Sequence, residues 1–140
     1  MSPGRAFILS TFAAVLLGCP PPPIGHLHNN TSQPIKYCSG WRCKEIPAGR
    51  TTEVRLTYSE PFRFSIHAKT REFGYEIVHR VNIGYARRES ESNCPNCPRY
   101  YFQLEPDMRV FILNPELTPP IASLPPQPPG FPLEPRKRAA

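Results

Sequence analysis

The chain reads as all-β, a small antiparallel β-sandwich or barrel, and three observations carry that expectation. Phe62, Phe64, Ile66 and Ala68 alternate with Arg63, Ser65, His67 and Lys69, the two-residue period of a half-buried strand. Turn signals recur at short intervals through the middle of the chain. No stripe at helical period runs for a useful length after the N-terminal apolar run. Of 140 residues, 20 are proline, which leaves residues 34–113 to supply a core. At that size burial alone is marginal and covalent staples matter.

Taken in order, residues 1–5 carry one basic side chain, Arg5, and residues 6–17 are apolar apart from Ser10 and Thr11. Gly18 then precedes Cys19, completing the three-part layout of a secretory signal whose apolar run is too short to span a bilayer. The stretch Leu16-Leu17-Gly18-Cys19 resembles the lipobox of bacterial lipoproteins, in which a leucine, a small or aliphatic residue, a small residue and a cysteine mark lipidation. The resemblance covers residues 1–19. It implies a signal peptide of residues 1–18, acylation of Cys19, and a place in the bacterial envelope. The outer membrane facing the periplasm is the more common destination. Two or three acyl chains, at about 0.8 kcal/mol per buried methylene, anchor far more firmly than one.

Residues 19–33 read as a lipidated, proline-rich linker. Pro20 to Pro23 form a stiff polyproline spacer that would hold the domain off the membrane. His26 and His28 make a His-x-His pair with metal-ligand character, although exposed linker histidines are the commoner outcome. Asn29 and Asn30 open overlapping Asn-x-Ser/Thr sequons, which matter only in a eukaryotic secretory route, and the lipobox argues against that route.

The β domain is expected over residues 34–113. Residues 35–38 and 41–46 read as a hairpin across Ser39-Gly40, and Pro47-Ala48-Gly49 is a turn. Thr52, Val54, Leu56 and Tyr58 then alternate with Glu53, Arg55 and Thr57, and residues 58–61 turn the chain into the run that begins at Phe62. Phe73, Tyr75, Ile77, His79, Val81, Ile83 and Tyr85 share one parity over thirteen residues. That is long for one strand, so a break is expected near residues 78–82, with Gly74 and Gly84 at bulges or close approaches. His79 reads as a core or bend histidine, because no motif places a Ser, Cys or carboxylate to work with it. Residues 86–98 form a charged loop, and residues 99–104 and 109–113 flank Glu105-Pro106-Asp107-Met108 as a final hairpin. The expected core is Phe62, Phe64, Ile66, Tyr75, Ile77, Val81, Ile83, Phe102, Val110 and Ile112.

Residues 114–140 form a proline-rich basic tail. Prolines are too frequent there for helix or interior strand, while Ile121, Leu124, Phe131 and Leu133 supply apolar knobs. Three outcomes stand open: packing back over a sheet edge, presenting a polyproline ligand to another envelope protein, or disorder. The net charge of +6 ends in Arg136-Lys137-Arg138. In an exported chain this points, through the tail, to anionic lipid or cell-wall surfaces before nucleic acid.

Four cysteines remain once Cys19 is acylated: Cys38, Cys43, Cys94 and Cys97. An even number delivered to an oxidising compartment implies two disulfides. Local pairing closes short loops worth about 2 kcal/mol each, and cross-pairing closes more than fifty residues for about 4 kcal/mol. The turn through Ser39-Gly40-Trp41-Arg42 tips the balance slightly to Cys38 with Cys43 and Cys94 with Cys97. The alternative is a structural zinc site on the same four residues, since Cys94-Pro95-Asn96-Cys97 looks like a zinc-ribbon knuckle. A thiol oxidoreductase ranks third, because its Cys-x-x-Cys belongs at a helix N-terminus and strands follow this one. Phosphate-loop, Rossmann, His-Glu-x-x-His and Gly-x-Ser-x-Gly units do not occur. The leading expectation is therefore a non-enzymatic, membrane-anchored envelope lipoprotein, a small binding or scaffolding module without cofactor.

Overall fold

A computed structural model describes residues 18, 20–78, 80–89 and 92–137. Lipidation at Cys19, the histidine at position 79 and the last basic residue, Arg138, lie outside the described residues. The fold is all-β, two sheets packed as a sandwich, and the sole helical piece among the described residues is one 3-10 turn, Ile83–Tyr85. Nine strands are described: β1 Ile24–Asn29, β2 Ile35–Ser39, β3 Arg42–Ile46, β4 Thr51–Arg55, β5 Phe62–Ala68, β6 Arg71–Ile77, β7 Arg99–Leu104, β8 Val110–Ile112 and β9 Arg136–Lys137.

One sheet has the order β4-β1-β7-β8 and the other β3-β2-β5-β6-β9. Among these strands the pairings are antiparallel except β1 with β7, which run parallel. Sequence period explains the inner faces. Ile35 and Tyr37, then Phe62, Phe64 and Ile66, then Phe73, Tyr75 and Ile77 line the inside of the five-stranded sheet. Leu27, Val54, Phe102, Leu104 and Ile112 line the other. At the centre Phe64 stacks on Tyr37 at 5.1 Å and on Tyr75 at 5.0 Å between ring centroids.

Turns follow the chemistry of their residues. Gly40, at φ 61°, opens the two-residue loop between β2 and β3, where a left-handed first residue matches the twist of the strands. Between β7 and β8 the Glu105-to-Met108 turn closes with Met108 N–H donating to Glu105 O at 2.8 Å.

Several expectations are corrected. Residues 24–29, read as linker, are the interior strand β1. Its core face carries Gly25, Leu27 and Asn29, so a single large apolar residue represents it in the sequence and the period is invisible. The spacer does not stand free either. Pro23 is buried, and the Tyr58 hydroxyl donates to Pro21 O. The long parity run ends as a strand at Ile77; Val81 is half-buried against the core, and Ile83, 58% exposed, lies outside it. Gly74 sits in regular register opposite Ser65, with no bulge there.

The tail packs back, so of its three outcomes the first holds for residues 114–137. Proline lacks an N–H, so the proline-rich chain cannot continue a ladder on its own. Two glutamines substitute for the missing bonds. Gln103 Nε2 donates to Ile121 O at 2.9 Å and its Oε1 accepts from Ile121 N at 2.8 Å. Gln127 bonds both the N–H and the C=O of Ile112, at 2.8 and 3.0 Å. Leu133 then bridges Val110 on β8, and β9 pairs with β6 on the other sheet. The tail thereby seals one side of the sandwich.

Phe64→Ala should cost about 3–5 kcal/mol in chemical denaturation, whereas Ile83→Ala should stay within about 0.5 kcal/mol of the parent. A small loss at Phe64 would contradict the packing described.

Candidate functional site

The side opposite the tail is open. The edge strands β3 and β4 leave a groove of about 1020 Å³ between the two sheets. Its floor holds Tyr37, whose buried hydroxyl donates to Arg55 O at 2.7 Å, linking the sheets beneath the opening. Burial pushes the Tyr37 phenol well above its ordinary pKa, so it stays a neutral donor. Arg42, Lys44 and Arg55 supply positive charge along the walls against Glu53 alone. Lys44 Nζ reaches across to Glu53 O at 2.9 Å. Trp41 stands at the rim, 85% exposed, with the Arg42 guanidinium 4.9 Å from its ring centroid. Pro22 and Pro23 complete the lining, so the N-terminal segment runs along the same opening.

The structure places the four cysteines as two local couples. Cys38 and Cys43 face each other directly in the β2–β3 ladder, with Cα atoms 4.1 Å apart and their sulfurs at disulfide distance. Cys94 and Cys97, 5.4 Å apart at Cα and likewise at disulfide distance, flank a turn in which Cys97 N–H donates to Cys94 O at 3.1 Å. The four are not gathered into one zinc site, and among the described residues no group of three or more His, Cys, Asp or Glu is arranged to hold a metal ion. The Cys94–Cys97 turn runs into β7 without a helix, so the dipole that lowers a reactive thiol's pKa is not built there.

Arg99 holds this turn. Its buried guanidinium donates through Nη1 to Cys94 O at 3.2 Å and Cys97 O at 3.3 Å, and its Nε lies 3.6 Å from Glu89. Nothing in the sequence marks this role, because one arginine in a basic chain carries no pattern.

His26 and His28 project from the outer face of β1 rather than from a linker. His26 stacks on Tyr101 at 4.5 Å, and the Arg87 guanidinium lies 3.9 Å from the Tyr101 ring centroid. His28 Nδ1 bonds Thr51 Oγ1 at 2.9 Å, and neither Nε2 has a hydrogen-bond partner. Desolvation by burial holds both imidazoles below their ordinary pKa, more than the neighbouring carboxylates Glu53, Glu89 and Glu105 offset. Next to them, Asn29 was legible only as a sequon. It is fully buried, donating to Gln33 O at 2.7 Å and Ile46 O at 3.1 Å and accepting from the Thr31 N–H and hydroxyl. With its amide committed in this way, Asn29 is a structural anchor.

No family model matches the chain, and no curated protein or solved structure matches it either.

Alkylation without reduction, followed by peptide mass spectrometry, should find Cys38 joined to Cys43 and Cys94 to Cys97. Either bridge, removed by paired serine substitution, should cost about 2 kcal/mol. Four alkylatable thiols with stoichiometric zinc would instead establish the metal site.

Stability should also depend on pH through His26 and His28. Because their native pKa values are lowered, the unfolded chain binds more protons as pH falls below about 6.5. Stability is therefore complete above that value and declines as pH falls through the native pKa values. Denaturation at stepped pH should show this decline, and His28→Gln should flatten it; an unchanged slope would contradict the assignment.

Proposed function

We propose that this chain is a non-enzymatic lipoprotein of a bacterial envelope, anchored through acylated Cys19 and binding through the open side of its sandwich. The observation that carries the reading is Leu16-Leu17-Gly18-Cys19 set immediately before a folded β domain. A lipid anchor gives position without chemistry, and this body suits such use. One side is sealed by the tail, while the other offers a rigid groove with exposed backbone edges, basic side chains and an unburied tryptophan. Placement on the outer membrane, facing the periplasm, belongs to the same proposal. Two short disulfides suit that oxidising compartment.

Expressed in a bacterial host, the protein should incorporate labelled palmitate and co-sediment with membranes. Cys19→Ser should abolish the labelling and leave the chain as soluble or unprocessed precursor. A Cys19→Ser protein that is still processed and still membrane-bound would sink the lipoprotein reading.

A further inference from the structure

We infer that the open side of the sandwich, around Trp41, Arg42, Lys44 and Arg55, docks on the surface of an anionic phospholipid bilayer, a use that rests on the anchoring of Cys19 proposed above. Chain length makes the first argument. Pro21 O is bonded by the Tyr58 hydroxyl, and Pro22 and Pro23 line the groove, so the chain is fixed to the body from Pro21 onward. Only Pro20 separates Cys19 from Pro21, two Cα-to-Cα steps that reach at most about 7 Å. An acylated Cys19 therefore holds this side of the sandwich within about one Debye length of the head groups, 8–10 Å at ordinary ionic strength.

Charge and shape make the second argument. Three basic side chains line this opening against Glu53, the one carboxylate on it. Beyond Tyr58, the Arg80 guanidinium lies 4.4 Å from that ring's centroid, and Glu60, whose carboxylate accepts from the Arg80 N–H at 2.9 Å, balances its charge, so the excess rests on Arg42, Lys44 and Arg55. At the rim, Trp41 presents an amphipathic ring to solvent at the tip of a hairpin, the position and residue type that seat in the head-group layer. A groove built for a buried small molecule would enclose its aromatic; here the aromatic faces outward beside the tether. Binding would leave the sandwich unchanged and fix its orientation, with β3 and β4 toward the bilayer.

Trp41 is the only tryptophan in the chain, so its fluorescence reports this contact alone. The processed, lipidated protein is reconstituted into neutral phosphatidylcholine vesicles and into vesicles containing phosphatidylglycerol, each with and without brominated acyl chains. On anionic vesicles Trp41 emission should shift to the blue and be quenched by brominated lipid; on neutral vesicles both effects should be much weaker. Each basic residue near an anionic surface contributes about a fivefold factor, so Arg42→Glu with Lys44→Glu should lower the docked-to-free ratio at least about 25-fold while flotation, held by the acyl chains, persists. Protein that floats on anionic vesicles with the emission of a water-exposed indole would overturn the inference. If the protein fails to float on neutral vesicles, the anchoring reading has failed. Docking is then read by adding excess anionic vesicles to the protein in solution, where the same shift sustains it and its absence overturns it. A shift produced by soluble polyglutamate and not by anionic vesicles would also overturn it, in favour of an acidic polymer or protein.

Discussion

The four-stranded sheet depends on β1. This strand lies between β4 and β7, antiparallel to one and parallel to the other; without it β4 has no neighbour and β7–β8 is an isolated hairpin, marginal in water. Its sequence, Ile-Gly-His-Leu-His-Asn, is an unusual one for an interior strand, and each departure has a local reason. Gly25 is small because a Cβ there would meet Val54 and Leu56 side-chain carbons at 2.9 Å. Asn29 replaces an apolar residue with a satisfied set of hydrogen bonds that joins β1 to the turn after it and to the end of β3. Buried polar groups cost little when paired. The histidines differ: each keeps an unpaired Nε2, and burial lowers each ring's pKa, favouring the neutral form.

The two sides of the sandwich are treated in opposite ways. On one, the tail closes the gap from β8 to β6, using Leu133 as a bridge, β9 as a short strand, and the side-chain amides of Gln103 and Gln127 where proline has no donor. On the other, β3 and β4 stay uncovered. Edge β3 is protected from pairing with other chains by charge, since Arg42, Lys44 and Glu45 are all exposed along it. The local disulfide-distance pair Cys38–Cys43 lies across this same hairpin, where a covalent tie would stiffen an edge that packing holds on one face only. Rigid backbone at an open edge is what a contact surface requires.

Legibility in the sequence tracked how much apolar surface each element contributes. Phe62, Phe64 and Ile66, and Tyr75 and Ile77, gave strands β5 and β6 their period, and both lie where that period puts them. The Ser39-Gly40 and Glu105-to-Met108 turns were readable because their residues have turn chemistry of their own. Strand β1 was hidden because glycine and asparagine occupy core positions, and β9 because its two residues are both basic and exposed. Ile83 misled for the converse reason: it keeps the parity of β6 after the backbone has left the strand for a 3-10 turn, and parity without a ladder places nothing. The groove could not be seen at all, since it joins residues from β3, β4 and the N-terminal segment that only topology brings together. Nor could the pairing of a polar β1 with β7, because a parallel partner leaves no turn between the two strands to announce it.

Where charge sits in this fold matters more than how much of it there is. The sequence concentrates attention on its basic C-terminal end, yet Arg136 and Lys137 belong to β9, at the edge of the five-stranded sheet farthest from β3, with Arg136 3.9 Å from Glu76. Four strand spacings of about 4.8 Å place that edge roughly 19 Å from β3. This is twice the Debye length of about 8–10 Å. Under the proposed anchoring at Cys19, a tether entering beside β3 and β4 would bring Arg42, Lys44 and Arg55 inside the screening distance of a membrane and hold the β9 residues outside it. The basic residues of the open side and those of β9 would then lie at different distances from the bilayer, the first set effective and the second screened. That division follows from one feature of the chain, the entry of the N-terminal segment directly into an interior strand.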